Sequence, residues 1–293
     1  MIETWLDRAT GIVQPYTFNV IDITEKTIVD DTIKSYLGEQ TLFQYKNINH
    51  LRMQYSTEPP QKLIDYLQDY VFPTDTYQIA KNVRQGDFGE IITTLVVENF
   101  VKLKVPISKL RYKFNKDRSV FCTDLISHNH GDTITDLKYY EIKTRISNQV
   151  NNVAVEAYNG LLRDEQKPTE AIANFLSCYY HEKAETLTNA RIDIEAEEFY
   201  NLATQFGNIV KNPNNYNRSF EIVLIIEKKY FKDDILTNLN AISLQLSPLE
   251  VTVILIEDLN ILVAETFSKA NDAALNLVFN ATANTIISPN TLA

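Results

Sequence analysis

Cysteine is nearly absent from this 293-residue chain, with only Cys122 and Cys178. Two thiols cannot build a disulfide framework, and no CxxC or Cys/His cluster has the spacing of a zinc site. Long apolar runs are missing too: the longest candidates, IVLII and VTVILI, are strand-sized and far short of a membrane span. The opening MIETWLDRAT lacks a basic segment followed by an apolar one, so no signal peptide is expected. Positive charge is in deficit, with 28 Lys and Arg against 38 Asp and Glu and a net charge of −10, which argues at first against nucleic acid. These absences leave a soluble, cytoplasmic protein with no membrane partner as the expectation. What is present fits it: 44% hydrophobic and 23% charged residues are enough for a sizeable core, in one large domain or two modest ones.

The charge is uneven. Between Lys102 and Arg118 stand seven cations, Lys102, Lys104, Lys109, Arg111, Lys113, Lys116 and Arg118, against Asp117 alone. That window is +6, so the rest of the chain carries −16. Lys109, Arg111 and Lys113 alternate, which on a strand would put all three on one DNA-facing side.

Periodicity gives the order of elements. Residues 16–23 read as a strand, 28–37 as a helix, and 61–70 as a helix that Pro59-Pro60 starts. Residues 72–75 look like a linker. From 86 to 103, Phe88, Ile91, Ile92, Leu95, Val96 and Phe100 recur nearly all round a helix, which should be buried. Residues 119–126 and 136–144 read as an antiparallel hairpin turned at Gly131-Asp132. Helices are expected at 150–161, 169–181 and 199–210. Strand 220–227, helix 232–239, strand 251–257 and helix 259–270 follow, with order fading after Asn271. The expected fold is α/β, a mixed central sheet flanked by helices. Residues 1–75 would pack as an N-terminal region on a core of 76–275, leaving a weakly ordered tail at 276–293.

One stretch has the means for chemistry. The buried helix carries Glu90, the first hairpin strand Asp124, and the second Glu141 and Lys143. Side chains alternate along a strand, so Glu141 and Lys143 share a face. If Asp124 stands across from Glu141, their carboxylates lie within about 5 Å. Two anions so close demand a cation, and oxygen donors without His or Cys select Mg²⁺ or Mn²⁺. Lys143 could then orient or deprotonate a water on the metal. The spacing leaves a salt-bridged hairpin surface open as the competing account. A second acid-x-Lys, Glu227 and Lys229, has no Asp-bearing strand just before it and reads as a charged strand end.

The order helix Glu, strand Asp, strand Glu-x-Lys resembles the PD-(D/E)xK nuclease superfamily, the fold of restriction endonucleases. More narrowly, GDFGEIITTLV, PISKLRYKF, CTDLI and YYEIKTR resemble the nuclease subunit of the Hachiman antiphage defence system, over roughly residues 80–165. The leading Pro-Asp of the superfamily is replaced, since Thr123 precedes Asp124. The resemblance implies a restriction-endonuclease-like fold and metal-dependent hydrolysis of phosphodiester bonds in DNA. It makes Asp124 and Glu141 metal ligands joined by the Ile142 carbonyl, Lys143 the catalytic lysine, and Glu90 the helix acid that supports or contacts the metal. It also implies a partner helicase that holds the nuclease until infection or DNA damage is sensed. A restriction or repair endonuclease without a helicase, and an inactive nuclease fold kept as a binding module, stay open.

Neighbouring residues have plainer readings. His128 and His130 are expected as solvated turn histidines, because no third ligand is spaced to join them. Cys122 and Cys178 are expected as small buried side chains. Arg145 could touch phosphate, Asp132 and Asp136 form the turn, and Tyr139 packs. Gly86 and Gly89 would permit the helix start and close packing around Glu90.

Overall fold

The computed structural model describes residues 1–9, 15–118, 123–131, 133–165, 169–189, 193–212 and 215–280. Cys122, Asp132, the first half of the strand expected at 119–126 and the tail from 281 fall outside them. Six strands make one sheet among the described residues: β1 (Leu6–Arg8), β2 (Asn19–Glu25), β3 (Leu125–His128), β4 (Asp136–Arg145), β5 (Asn217–Glu227) and β6 (Leu249–Ile256). Their order is β1-β2-β6-β5-β4-β3. The inner four run parallel, and β1 and β3 are antiparallel edges. This is the mixed sheet expected, and β3 and β4 form the expected antiparallel pair. The near-continuous apolar runs of β5 and β6 mark strands covered on both faces, and both are buried along most of their length.

Helices cover each face. The short α1 (Ile2–Trp5) leads into β1. On one side lie α2 (Asp31–Tyr45), α3 (Ile48–Tyr55), α4 (Pro60–Tyr66) and α5 (Gln78–Val96). On the other lie α6 (Val153–Glu165), α7 (Thr169–Asn189), α8 (Asp193–Lys211) and α9 (Asp234–Asn240). The last helix, α10 (Leu259–Leu275), returns to the α2 and α5 side. Strand alternation divides β4 between the two cores: Tyr140 and Ile142 join the α5 side, Leu137 and Tyr139 the α6 side.

Several boundaries differ from expectation for visible reasons. α2 starts three residues late, where the Asp30 carboxylate accepts from the Ile33 N–H at 2.8 Å, and runs on to Tyr45. α5 starts eight residues early, at Gln78, and is fully buried only from Asp87 onward. Order does not fade at Asn271: α10 continues to Leu275 and a wider helical turn runs on to Asn280, holding Ala274 and Val278 in the core. The basic segment is not a strand. Residues Lys109–Tyr112 form a 3₁₀ turn, so Lys109, Arg111 and Lys113 do not share one outward face.

Candidate active site

Helices close on β4 from both sides through glycines. On α5, a Cβ added at Gly89 would fall 2.1 Å from Thr144 Oγ1 and 3.2 Å from Ile142 Cγ2. On α6, a Cβ at Gly160 would fall 2.5 Å from the Glu141 carboxyl carbon. Only glycine allows either approach, as expected for Gly89; Gly86 has nothing within 4 Å of such an atom. Next to Gly89, Glu90 is thereby set beside the strand, buried.

Asp124 sits one residue before β3. The ladder pairs Leu125 with Tyr140. One step beyond it, Asp124 Oδ2 accepts the Ile142 N–H at 2.8 Å. The carboxylate therefore caps the edge of β4 where β3 has stopped. Its other oxygen, Oδ1, lies 3.2 Å from Lys109 Nζ, and the same ammonium lies 3.2 Å from Glu90 Oε1. Lys109 also donates to the Thr123 carbonyl at 3.3 Å. Glu90 and Asp124 thus meet at one cation.

Behind them a second buried pair extends the network. Asp87 accepts from the Tyr45 hydroxyl and from the Lys113 ammonium, all three nearly without solvent contact. Burial pushes the Glu90 carboxyl up to about 8, with Lys109 opposing and the Asp124 and Asp87 charges adding to the rise. Burial likewise raises Asp87, against the pull of Lys113 and Tyr45. For Lys109 burial disfavours the charge, but the two carboxylates outweigh it and hold its pKa above the ordinary value.

Glu141 and Lys143 point to the α6 face, where Lys143 Nζ lies 2.6 Å from Glu141 Oε1. Glu141 is buried against Gly160, and Lys143 is partly open. The four residues of the expected constellation therefore appear as two pairs: Glu90 with Asp124 through Lys109, and Glu141 with Lys143. Among the described residues no three His, Cys, Asp or Glu side chains are grouped as a metal ion would need. Glu90, Asp124, Ile142, Lys143 and Arg145 do line one cleft of about 1000 Å³. It opens at the carboxyl end of β4, the usual location for ligands of open α/β sheets. Arg145 borders it with Nη2 2.8 Å from Glu156 Oε2.

Other residues of the basic segment also find oxygen partners within the chain. Ser108 Oγ donates to the Gln44 carbonyl at 2.9 Å and Arg111 Nη2 to the Phe43 carbonyl at 2.6 Å. These are carbonyls of the last turn of α2, which the helix itself leaves unpaired and which favour a cation. Lys104 lies 3.5 Å from Glu198, Lys102 lies 3.3 Å from Glu3, and Lys116 donates to the Gln68 carbonyl. Much of the +6 window thus meets anionic or carbonyl oxygen within the chain.

Other expectations change. His128 is not a solvated turn residue: it ends β3, is buried edge-on to Phe206, and burial lowers its pKa to about 4. Cys178 is exposed on α7, beside the buried Leu176 and Tyr180. Glu227 does end β5 as a charged residue paired with Lys229, but its side chain is buried and accepts the Asn260 N–H at 3.2 Å, at the start of α10. Asp87, Tyr45 and Gly160 escaped sequence reading, and Lys113, expected to face DNA, is instead the partner of Asp87. Their one early signal was that Asp87 and Glu90 lie three apart on a helix apolar all round, where an acid must find a buried partner.

No helix among the described residues is long and apolar enough to cross a membrane. No curated protein matches the chain. A family model described as HamA matches residues 2–270, which includes every element that builds the cleft, and the chain belongs to the HamA family, a component of the Hachiman antiphage defence system.

Proposed function

We propose that this HamA protein is a metal-dependent DNA endonuclease, the effector of a Hachiman complex, restrained by a partner helicase. The observation that carries the reading is the convergence of Glu90 and Asp124 on one cation position, in the cleft that Lys143 and Arg145 also line. Carboxylate oxygens alone, with no sulfur or imidazole, fit Mg²⁺ or Mn²⁺. Asp124 and Glu90 would hold the ion with the Ile142 carbonyl, and Glu141 is the further carboxylate proposed for it. A bound Mg²⁺ supplies Lewis-acid polarisation of the phosphoryl oxygen and a more acidic water.

The chain's own groups do the rest. Lys143, balanced by Glu141, orients the attacking water and gives or takes its proton. Arg145 offers a planar donor fork to a phosphate of the strand. Asp124, fixed by the Ile142 N–H, keeps its carboxylate from turning away. The acidic surface is compatible with DNA supplied by a helicase, since phosphate contacts depend on Lys and Arg.

The test is plasmid cleavage with Mg²⁺ or Mn²⁺ against chelator, for the chain alone and with the helicase encoded beside it. Glu141→Ala and Lys143→Ala are expected to abolish cutting with circular dichroism unchanged; near-wild-type cutting by either would refute the assignment. A second reading, a nuclease fold retained for binding, draws on the separation of the four residues into two pairs. It predicts no cleavage and no metal binding under any of these conditions.

A further inference from the structure

Lys109 has the surroundings of a bound ion, not of a surface lysine. Its Nζ faces three oxygens from two pieces of chain: Glu90 Oε1 on α5 at 3.2 Å, and Asp124 Oδ1 at 3.2 Å with the neighbouring Thr123 carbonyl at 3.3 Å. Its side chain is 17% exposed. The turn that presents it is fastened on both sides, by Ser108 and Arg111 to the end of α2 and by Lys113 to Asp87. The ammonium is thus delivered to this point by a turn that its neighbouring side chains anchor. A flexible stem alone would not fix it there.

Charge and size set what can replace it. Once both poorly solvated acids are ionised, as metal binding requires, one ammonium leaves a negative charge uncompensated, whereas a divalent ion compensates both. Mg²⁺ binds oxygen at about 2.0–2.1 Å, so the carboxylates must draw in by about 1 Å from their present distance. The ammonium and the ion cannot share that space.

We infer that Lys109 is the resident cation of the Glu90–Asp124 pair and that a divalent metal binds by displacing it. Lys109 then sets the metal concentration at which the site loads, as a positioning residue that keeps the two acids together beforehand. This rests on the metal-dependent reading above. The displaced ammonium, on its four-carbon stem, turns toward the cleft that Asp124 and Lys143 line.

Two measurements on the full chain test this. Titration calorimetry with Mn²⁺ compares wild type with Lys109→Met, and amine acylation read by mass spectrometry follows Lys109 in the wild type with Mn²⁺ or chelator. Mn²⁺ is expected to bind Lys109→Met at least about tenfold more tightly. Acylation of Lys109 is expected to rise severalfold with saturating Mn²⁺ while Lys138, buried elsewhere between Glu221 and Glu250, stays protected. Equal or weaker Mn²⁺ binding by the variant, or Lys109 labelling indifferent to bound Mn²⁺, overturns the inference and leaves the metal site standing. No Mn²⁺ binding by either protein removes the metal site itself. If Lys109→Met does not fold, the wild-type labelling decides alone.

Discussion

Two lysines on the α5 side of the sheet each stand between two carboxylates. Lys109 bridges Glu90 and Asp124. Lys138 bridges Glu221, at 2.5 Å, and Glu250. They are assembled differently. The Lys138 trio comes from adjacent strands: Glu221 pairs with Glu250 across β5 and β6, and Lys138 lies on β4 two residues before Tyr140, the register partner of Glu221. Sheet hydrogen bonds hold that trio, and Thr252 adds a hydroxyl to Glu221 at 2.5 Å. The Lys109 trio joins a helix, a 3₁₀ turn and the residue ahead of an edge strand, and it lines the cleft. A cation locked by register serves the fold; the one held by three separable pieces, at a cleft, is the one inferred to exchange.

The largest expected effect tests the closed trio. Lys138→Met leaves the buried Glu221 facing the partly open Glu250 and should cost about 3–5 kcal/mol, read as a lower urea midpoint. Plasmid cutting by the folded variant should equal wild type. Loss of cutting in a stable Lys138→Met protein would show that the two trios are not separate in role.

A smaller effect is expected at the second pair of the site. Gly160→Ala places a methyl 2.5 Å from the Glu141 carboxyl carbon, so the acid or α6 must shift. About 1–3 kcal/mol of overpacking is expected, with cutting falling further than stability because the Glu141–Lys143 geometry moves. An unchanged cleavage rate would detach Glu141 from the chemistry.

The last effect is a pH slope. Glu90 titrates in the fold at about 8, against 4.5 for the free side chain, chiefly through burial. A raised carboxyl pKa means the fold holds the proton more tightly. In chelator, stability from this group is full below about 4.5 and is lost as pH rises through about 8. Urea unfolding at pH 5 and pH 8.5 should show the loss in wild type and a flatter response in Glu90→Gln. Equal slopes would mean that the Lys109 ammonium keeps Glu90 ionised throughout.

Periodicity revealed the α/β class, the buried helix, the β3–β4 hairpin and the apolar parallel strands, because burial on one or both faces is written in residue spacing. Local spacing also singled out Glu90, Asp124, Glu141 and Lys143, and the fold brings all four to β4 or its edge. It misjudged the basic segment, since Lys109, Arg111 and Lys113 alternate as strand residues would. Nothing near them in sequence shows that the carboxyl end of α2, more than 60 residues earlier, needs donors.

Composition and order of residues thus determined which elements form and which acids lie near the hairpin, because hydrogen bonding and burial within an element are short-range. The tertiary structure decided which charges meet. Lys109 faces Glu90 and Asp124 where Gly89 lets α5 close on β4, and the Glu141 side of the Glu141–Lys143 pair is buried where Gly160 lets α6 close on the opposite face. Coulomb attraction depends on distance in space, and that distance is set by packing between residues far apart along the chain.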